Sequence, residues 1–239
     1  MGGHAGPADW WTDGTQAGRE YIASNGIVQT DLALFLDAAN TNSYSGSGTT
    51  WYDLSGNNAN AIAVDMPTHV SNGGASYFQF DGVQNEFNSD NVTQNYVDMF
   101  ALIRLETTAL SMLFGMYDNL DASVRFSGGY MRDDTTTTPG GGQMNVDDWA
   151  LNEDHLIFHN GVFGPGQVYI LNNWAFIRQF RSNTSEFGTN GFRYEISSSF
   201  LSDARHFQGK VNCIGAYTRQ LTNQEVLQNY GALKSRFGL

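Results

Sequence analysis

The segment SYFQFDG (76–82) alternates strictly, with Tyr77, Gln79 and Asp81 on one face and Phe78 and Phe80 on the other. This two-residue period predicts a half-buried strand. YVDMFALIRLE (96–106) places Val97, Met99, Ala101, Ile103 and Leu105 on one face, and Tyr96, Asp98, Phe100, Leu102 and Arg104 on the other. Both faces are partly apolar, which predicts a central strand covered on each side within a two-layer sandwich. Further strand-like runs are LALFLDA (32–38), WYDLSGNNANAIA (51–63), LSMLFGMY (110–117), SVRFSGGYMR (123–132) and QMNVDDWAL (143–151). HLIFH (155–159), QVYILNN (167–173), WAFIRQFRS (174–182), GFRYEIS (191–197) and FQGKVNCIGAYT (207–218) follow. About a dozen short strands with frequent turn residues predict an antiparallel sandwich or barrel. DDTTTTPGGG (133–142) reads as a surface loop, and no repeat of fixed period appears.

Two segments break the strand pattern. In TRQLTNQEVLQNYGALKSRFGL, Thr222 and Glu225 form a T-x-x-E capping box, and Leu221 and Val226 the hydrophobic staple that flanks it. Val226, Tyr230, Leu233 and Phe237 then recur at helical spacing as one apolar stripe, and Lys234 and Arg236 suit the negative end of the helix dipole. Helices this short are marginal alone, so this one is expected to dock on the strand that leads into it. Residues 1–30 are turn-rich and hold the pair Trp10-Trp11. They read as an N-terminal arm whose tryptophans anchor a neighbouring molecule, or as a leader whose tryptophans dock on their own domain. Residues 31–239 form the domain proper.

Composition narrows the classes. With 24 acidic and 12 basic residues the formal charge is -12, which disfavours nucleic-acid backbones and anionic membranes. Only two lysines occur, Lys210 and Lys234. The single Cys213, inside the strand-like VNCIGAY, cannot form an intrachain disulfide and reads as a small buried hydrophobe. No export signal or membrane-length apolar run is visible in the sequence.

The string CIGAYTRQLTNQEVLQNYGALKSRFGL resembles the closing strand and helix of concanavalin A-like lectin/glucanase domains in their laminin-G-like jelly-roll branch. LALFLDAANTNSYSGSGTTWYDLSGNNANA is similar to the family's opening strand, Tyr-x-Gly-x-Gly-Thr-x-Trp loop and Asp-Leu-Ser-Gly-Asn turn, and YFQFDGV to its next strand. The likeness brackets residues 31–239, with a divergent middle over 110–200. It implies an all-β, two-sheet antiparallel jelly-roll sandwich with a short C-terminal helix and an N-terminal arm. The ending ALKSRFGL also resembles tails of structural proteins of tailed bacteriophages. By that resemblance the chain is expected to be a non-enzymatic virion component assembled in the host cytoplasm: a head-decoration protein, a fibre or a tail-associated part. Its expected partners are other virion proteins and its own copies. A carbohydrate-binding adhesin for host-surface glycans is the alternative, and a glycan hydrolase or lyase the second.

Candidate chemistry is sparse. The glucanase branch carries carboxylates at alternate positions of one strand, and retaining hydrolysis needs two of them about 5–5.5 Å apart. No strand here presents that array: Glu153-Asp154 and Asp147-Asp148 are adjacent pairs, Glu195 is single, and Glu186 sits in a loop-like segment. His155 and His159 lie four apart on a strand, ~13 Å from each other and too far to share an ion. No cofactor is expected. Calcium is the one ion the resemblance admits, at the sandwich rim, where Asp37, Asp53, Asp81, Asp118 and Asp121 are candidates. The competing and favoured reading of each is an Asx turn. Trp51, Tyr52, Trp149 and Trp174 have the flat faces that stack on sugar rings, although aromatics on sandwich strands more often belong to the core.

Overall fold

The structure is a computed structural model; it describes residues 26–90, 96, 98–107, 111–116, 123–127, 130–133, 143–145, 154–160, 167–172, 175–180, 194–197 and 205–237. Among these are sixteen strands: β1 (Leu32–Asp37), β2 (Thr50–Trp51), β3 (Ala61–Asp65), β4 (Thr68–Val70), β5 (Tyr77–Asp81), β6 (Glu86–Ser89), β7 (Asp98–Leu105) and β8 (Ser111–Met116). They continue with β9 (Ser123–Ser127), β10 (Tyr130–Asp133), β11 (Gln143–Asn145), β12 (Asp154–Asn160), β13 (Gln167–Asn172), β14 (Ala175–Phe180), β15 (Tyr194–Ile196) and β16 (Gln208–Tyr217). One helix follows, Asn223–Phe237.

The strands form two antiparallel sheets, one of the two arrangements that the pattern predicts and the sandwich that the resemblance implies. The first sheet runs β14-β13-β12-β7-β16-β5-β4, with β1 also paired to β16; the second runs β11-β10-β9-β8-β15-β6-β3-β2. The long β16 pairs with β7 along one side, and its other side is shared by β5 (Gln208 to Val211) and β1 (Cys213 to Tyr217). A register shift between Val211 and Cys213 marks the change of neighbour.

The alternating positions of β7 explain the layering. Met99, Ala101, Ile103 and Leu105 enter the main core between the sheets, where Trp51, Phe78, Phe80, Phe87, Phe114 and Tyr194 interlock. Trp51 is edge-on to Phe78, and Phe78 edge-on to Phe87, at 4.8 and 5.1 Å between ring centroids. Phe100 and Leu102 face the other way, into a second core with Phe35, Cys213, Tyr217 and the helix residues Val226, Tyr230 and Leu233. β7 is thus covered on both faces, and Cys213 is fully buried.

The helix starts as its sequence predicts. The Glu225 amide donates to Thr222 Oγ1 at 3.3 Å, and the Thr222 amide donates to Glu225 Oε2 at 2.8 Å, closing the capping box. Leu221 and Val226 are both buried. The motifs at the front of the domain are structural as well. Asp53 accepts from the Phe35, Ser55 and Ala59 amides and from Ser55 Oγ, and Asn57 Nδ2 donates to the Leu32 and Ala33 carbonyls. The Asp-Leu-Ser-Gly-Asn turn therefore lashes its loop to β1.

Candidate functional site

The helix covers one end of the first sheet's outer face and leaves the other open. Under the helix, polar atoms are tightly matched. The Val28 amide donates to Asn229 Oδ1 at 2.7 Å, Asn229 Nδ2 donates to the Tyr217 hydroxyl at 2.9 Å, and that hydroxyl donates to the Val28 carbonyl at 2.9 Å. Asn229 is fully buried, so this closed ring ties the chain entering β1, β16 and the helix together. Arg219 grips both oxygens of Glu225 and also reaches Asp31 at 3.0 Å. Those hydrogen bonds hold the Glu225 carboxyl down to about 2. Asp98 is enclosed where β7 meets the start of the helix and accepts from the Leu221 amide at 2.8 Å. Burial pushes its carboxyl up to about 8, against the lowering effect of the Leu221 and Met99 amides.

At the open end, register lines up a transverse polar row. Thr68 pairs with Gln79, Gln79 with Lys210, Lys210 with Arg104, and Arg104 with Asp154. Beside this row lies a pocket of about 130 Å³ lined by Asn72, Ala75, Tyr77, Leu102, Arg104, Lys210 and Asn212. The Lys210 ammonium sits 4.4 Å from the centre of the Tyr77 ring, a cation–π contact that fixes both side chains. Gln79 Nε2 donates to Glu106 Oε2 at 2.9 Å. The pocket's lip is the 71–76 loop. There the Asn72 amide donates to Ser76 Oγ, Ser76 Oγ donates to the Gly73 carbonyl, and Asn212 Nδ2 donates to the Ala75 and Ser76 carbonyls. With its amide nitrogen committed to the loop, Asn212 presents Oδ1 as its remaining acceptor.

The residues expected to touch a ligand fall elsewhere. Trp51 is fully buried between Phe78 and Phe87 and offers no face to a sugar, so its assignment as a stacking residue is corrected to core. Tyr52, directly after β2, is 51% exposed and does not line the pocket. Trp10, Trp11, Trp149 and Trp174 lie outside the described residues, as do Asp118 and Asp121. Asp37 and Asp81 make Asx turns, accepting from the amides of Ala39 and of Val83 and Gln84, respectively. Asp53 has four donors around its two oxygens. Among the described residues no group of three or more metal-ligating side chains is assembled. Glu195 is buried on β15, opposite Asn88 and Gly115. Glu153, Asp147, Asp148 and Glu186 are outside the described residues. His155 and His159 stand on β12 in register with Ile103 and Met99.

No protein-family model and no curated protein sequence matches the chain. Solved structures do share its fold. A Trypanosoma rangeli sialidase in complex with sialic acid superposes with a TM-score of 0.59 at 13% identity, over 92% of this chain and 37% of the sialidase. A mutant of that sialidase displaying trans-sialidase activity gives 0.59 at 14% identity, over 96% of this chain and 38% of the enzyme. The receptor-binding domain of botulinum neurotoxin D gives 0.57 at 12% identity, over 84% of this chain and 52% of that one. The chain thus spans little more than a third of the sialidases' length and about half of the toxin domain's. These likenesses show a shared β-sandwich fold. They also correct one expectation. The chain was expected to be non-enzymatic, yet more than a third of a sialidase chain shares its fold, so that exclusion does not stand.

Proposed function

We propose that this chain is a carbohydrate-recognition domain whose binding surface is the open end of the first sheet's outer face. The pocket carries the reading. It combines an aromatic ring, an amide acceptor and two cations on a rigid framework of paired strands, the mix of flat apolar and directional polar groups that sugars require. The fold shared with a sialidase solved with sialic acid and with a receptor-binding domain supports it. The likeness of the chain's ending to tailed-phage structural proteins extends the proposal: the domain is borne on a virion and attaches the particle to host-surface glycans.

A glycan array probed with the purified chain, combined with a reducing-sugar assay on every glycan bound, tests the first part. Binding that weakens on substitution at the pocket is expected, and the assay reports whether cleavage follows. An array with no bound glycan would overturn the reading. Immunogold labelling of purified particles tests the second part, with label on the particle surface expected and its absence contradicting that placement.

A further inference from the structure

We propose that the pocket selects sugars bearing a carboxylate, with Arg104 and Lys210 as the groups that recognise it; this deepens the carbohydrate reading and rests on it. Arg104 and Lys210 are directly opposite each other on neighbouring antiparallel strands. Such partners share a face with Cβ atoms about 5 Å apart, and like charges there repel. The chain has only 12 basic residues against 24 acidic ones, so placing two cations side by side in the lining of one open pocket runs against its overall charge.

The surroundings hold both cations at the pocket. Lys210 is kept in place by the Tyr77 ring below its ammonium. Arg104 stands on β7 between its register partners on β16 and β12, and a guanidinium presents five N–H donors in a planar fork, enough to serve more than one acceptor at once. A planar carboxylate seated against Arg104 takes a forked pair of charge-assisted bonds, with the Lys210 ammonium neutralising the remaining charge. The sugar's hydroxyls then meet the acceptor Asn212 Oδ1, which the 71–76 loop holds in position. About 130 Å³ accommodates one pyranose ring's carboxyl end and neighbouring hydroxyls, not a long segment of polymer. The acidic remainder of the surface opposes polyanions at long range, but that field is screened beyond about 8 Å at physiological salt. Recognition of a single charged sugar residue is the outcome.

Isothermal titration of the full chain with trisaccharides of galacturonic, glucuronic and mannuronic acid, each beside its neutral methyl ester, tests this. The ester keeps every hydroxyl and replaces the charge with a methyl cap. At least one free acid is expected to bind tenfold or more tighter than its ester. Lys210→Gln and Arg104→Gln are each expected to erase most of that preference, lowering affinity for the acid far more than for the ester, while circular dichroism of each variant is expected to match the parent's. Equal affinity for acid and ester, or a preference that survives both substitutions, would overturn the carboxylate assignment and leave the carbohydrate reading standing. If neither form binds and the array is also silent, the carbohydrate reading itself falls.

Discussion

The outward positions of β7 run Phe100, Leu102, Arg104, and those of β16, read in the matching direction, run Tyr217, Gly215, Cys213, Asn212, Lys210. At one end Phe100 lies across Gly215, between Phe35 and Tyr217, with ring centroids 6.1 and 6.2 Å away, and the helix seals the cluster. At the other end the same two strands carry two cations and a buried amide that, with the Tyr77 ring of β5, line the pocket. The contrast shows how one sheet face is divided between stability and recognition. The sealed half buries apolar area and satisfies every polar atom of the Val28–Asn229–Tyr217 ring. The open half keeps charge where a ligand can reach it and relies on backbone pairing for its rigidity.

Gly209 offers the harshest test of that division. It has φ of +148° in the open half, and a Cβ there would lie 2.0 Å from the Arg104 carbonyl oxygen. Gly209→Ala is therefore expected to cost more than ~3 kcal/mol or to prevent folding; a denaturation midpoint near the parent's would show that the open half does not depend on that close approach. Asn229→Ala in the sealed half leaves the buried Val28 amide and Tyr217 hydroxyl short of partners. Urea unfolding is expected to show a loss of about 2–3 kcal/mol, and a loss below ~1 kcal/mol would mean that the ring is dispensable.

Asp98 sharpens the contrast through pH. Its folded value of about 8 stands above the ordinary 3.8. The favourable contribution of the protonated carboxyl is fully present below about pH 4 and is lost as pH rises through 8. Asp98→Asn mimics the protonated form and still accepts from Leu221, so calorimetry should find it more stable than the parent at pH 9, by several kcal/mol, and nearly equal at pH 4. A parent as stable as the variant at pH 9 would contradict this. The smallest effect is expected for Lys210→Gln. Its cation–π contact is worth ~0.5–1 kcal/mol at an exposed site and is offset by relief of repulsion from Arg104, so the melting temperature should move by less than about 3 °C. A large drop would reassign Lys210 to structure.

Much of the sealed half was legible in the sequence, because its determinants are local. The capping box, the staple and the stripe Val226–Tyr230–Leu233 are spelled within residues 221–233, and the two-faced pattern of β7 announced a central strand. Asn229 escaped notice because its partners, Val28 and Tyr217, are fixed by tertiary packing. In the divergent middle, SVRFSGGYMR read as one run and forms two strands, β9 and β10, since Gly128 and Gly129 separate them. β4 and β6, of three and four residues, are too short to show a period. The pocket was the least legible part. Its residues come from three distant stretches that only strand register brings together, whereas Trp51 drew attention by residue type and proved to be core. Two signals were present: Lys210 is one of only two lysines, and Arg104 shares a face with Phe100 and Leu102.

Hydrogen–deuterium exchange of the full chain, with and without the uronic trisaccharide that binds it best, compares the two halves in one experiment. Slower exchange is expected across 72–77, 102–105 and 208–212, with no change in the helix or in Thr50–Asp65 at the edge of the second sheet. Protection confined to the helix or to that edge, with none at the pocket, would contradict the account.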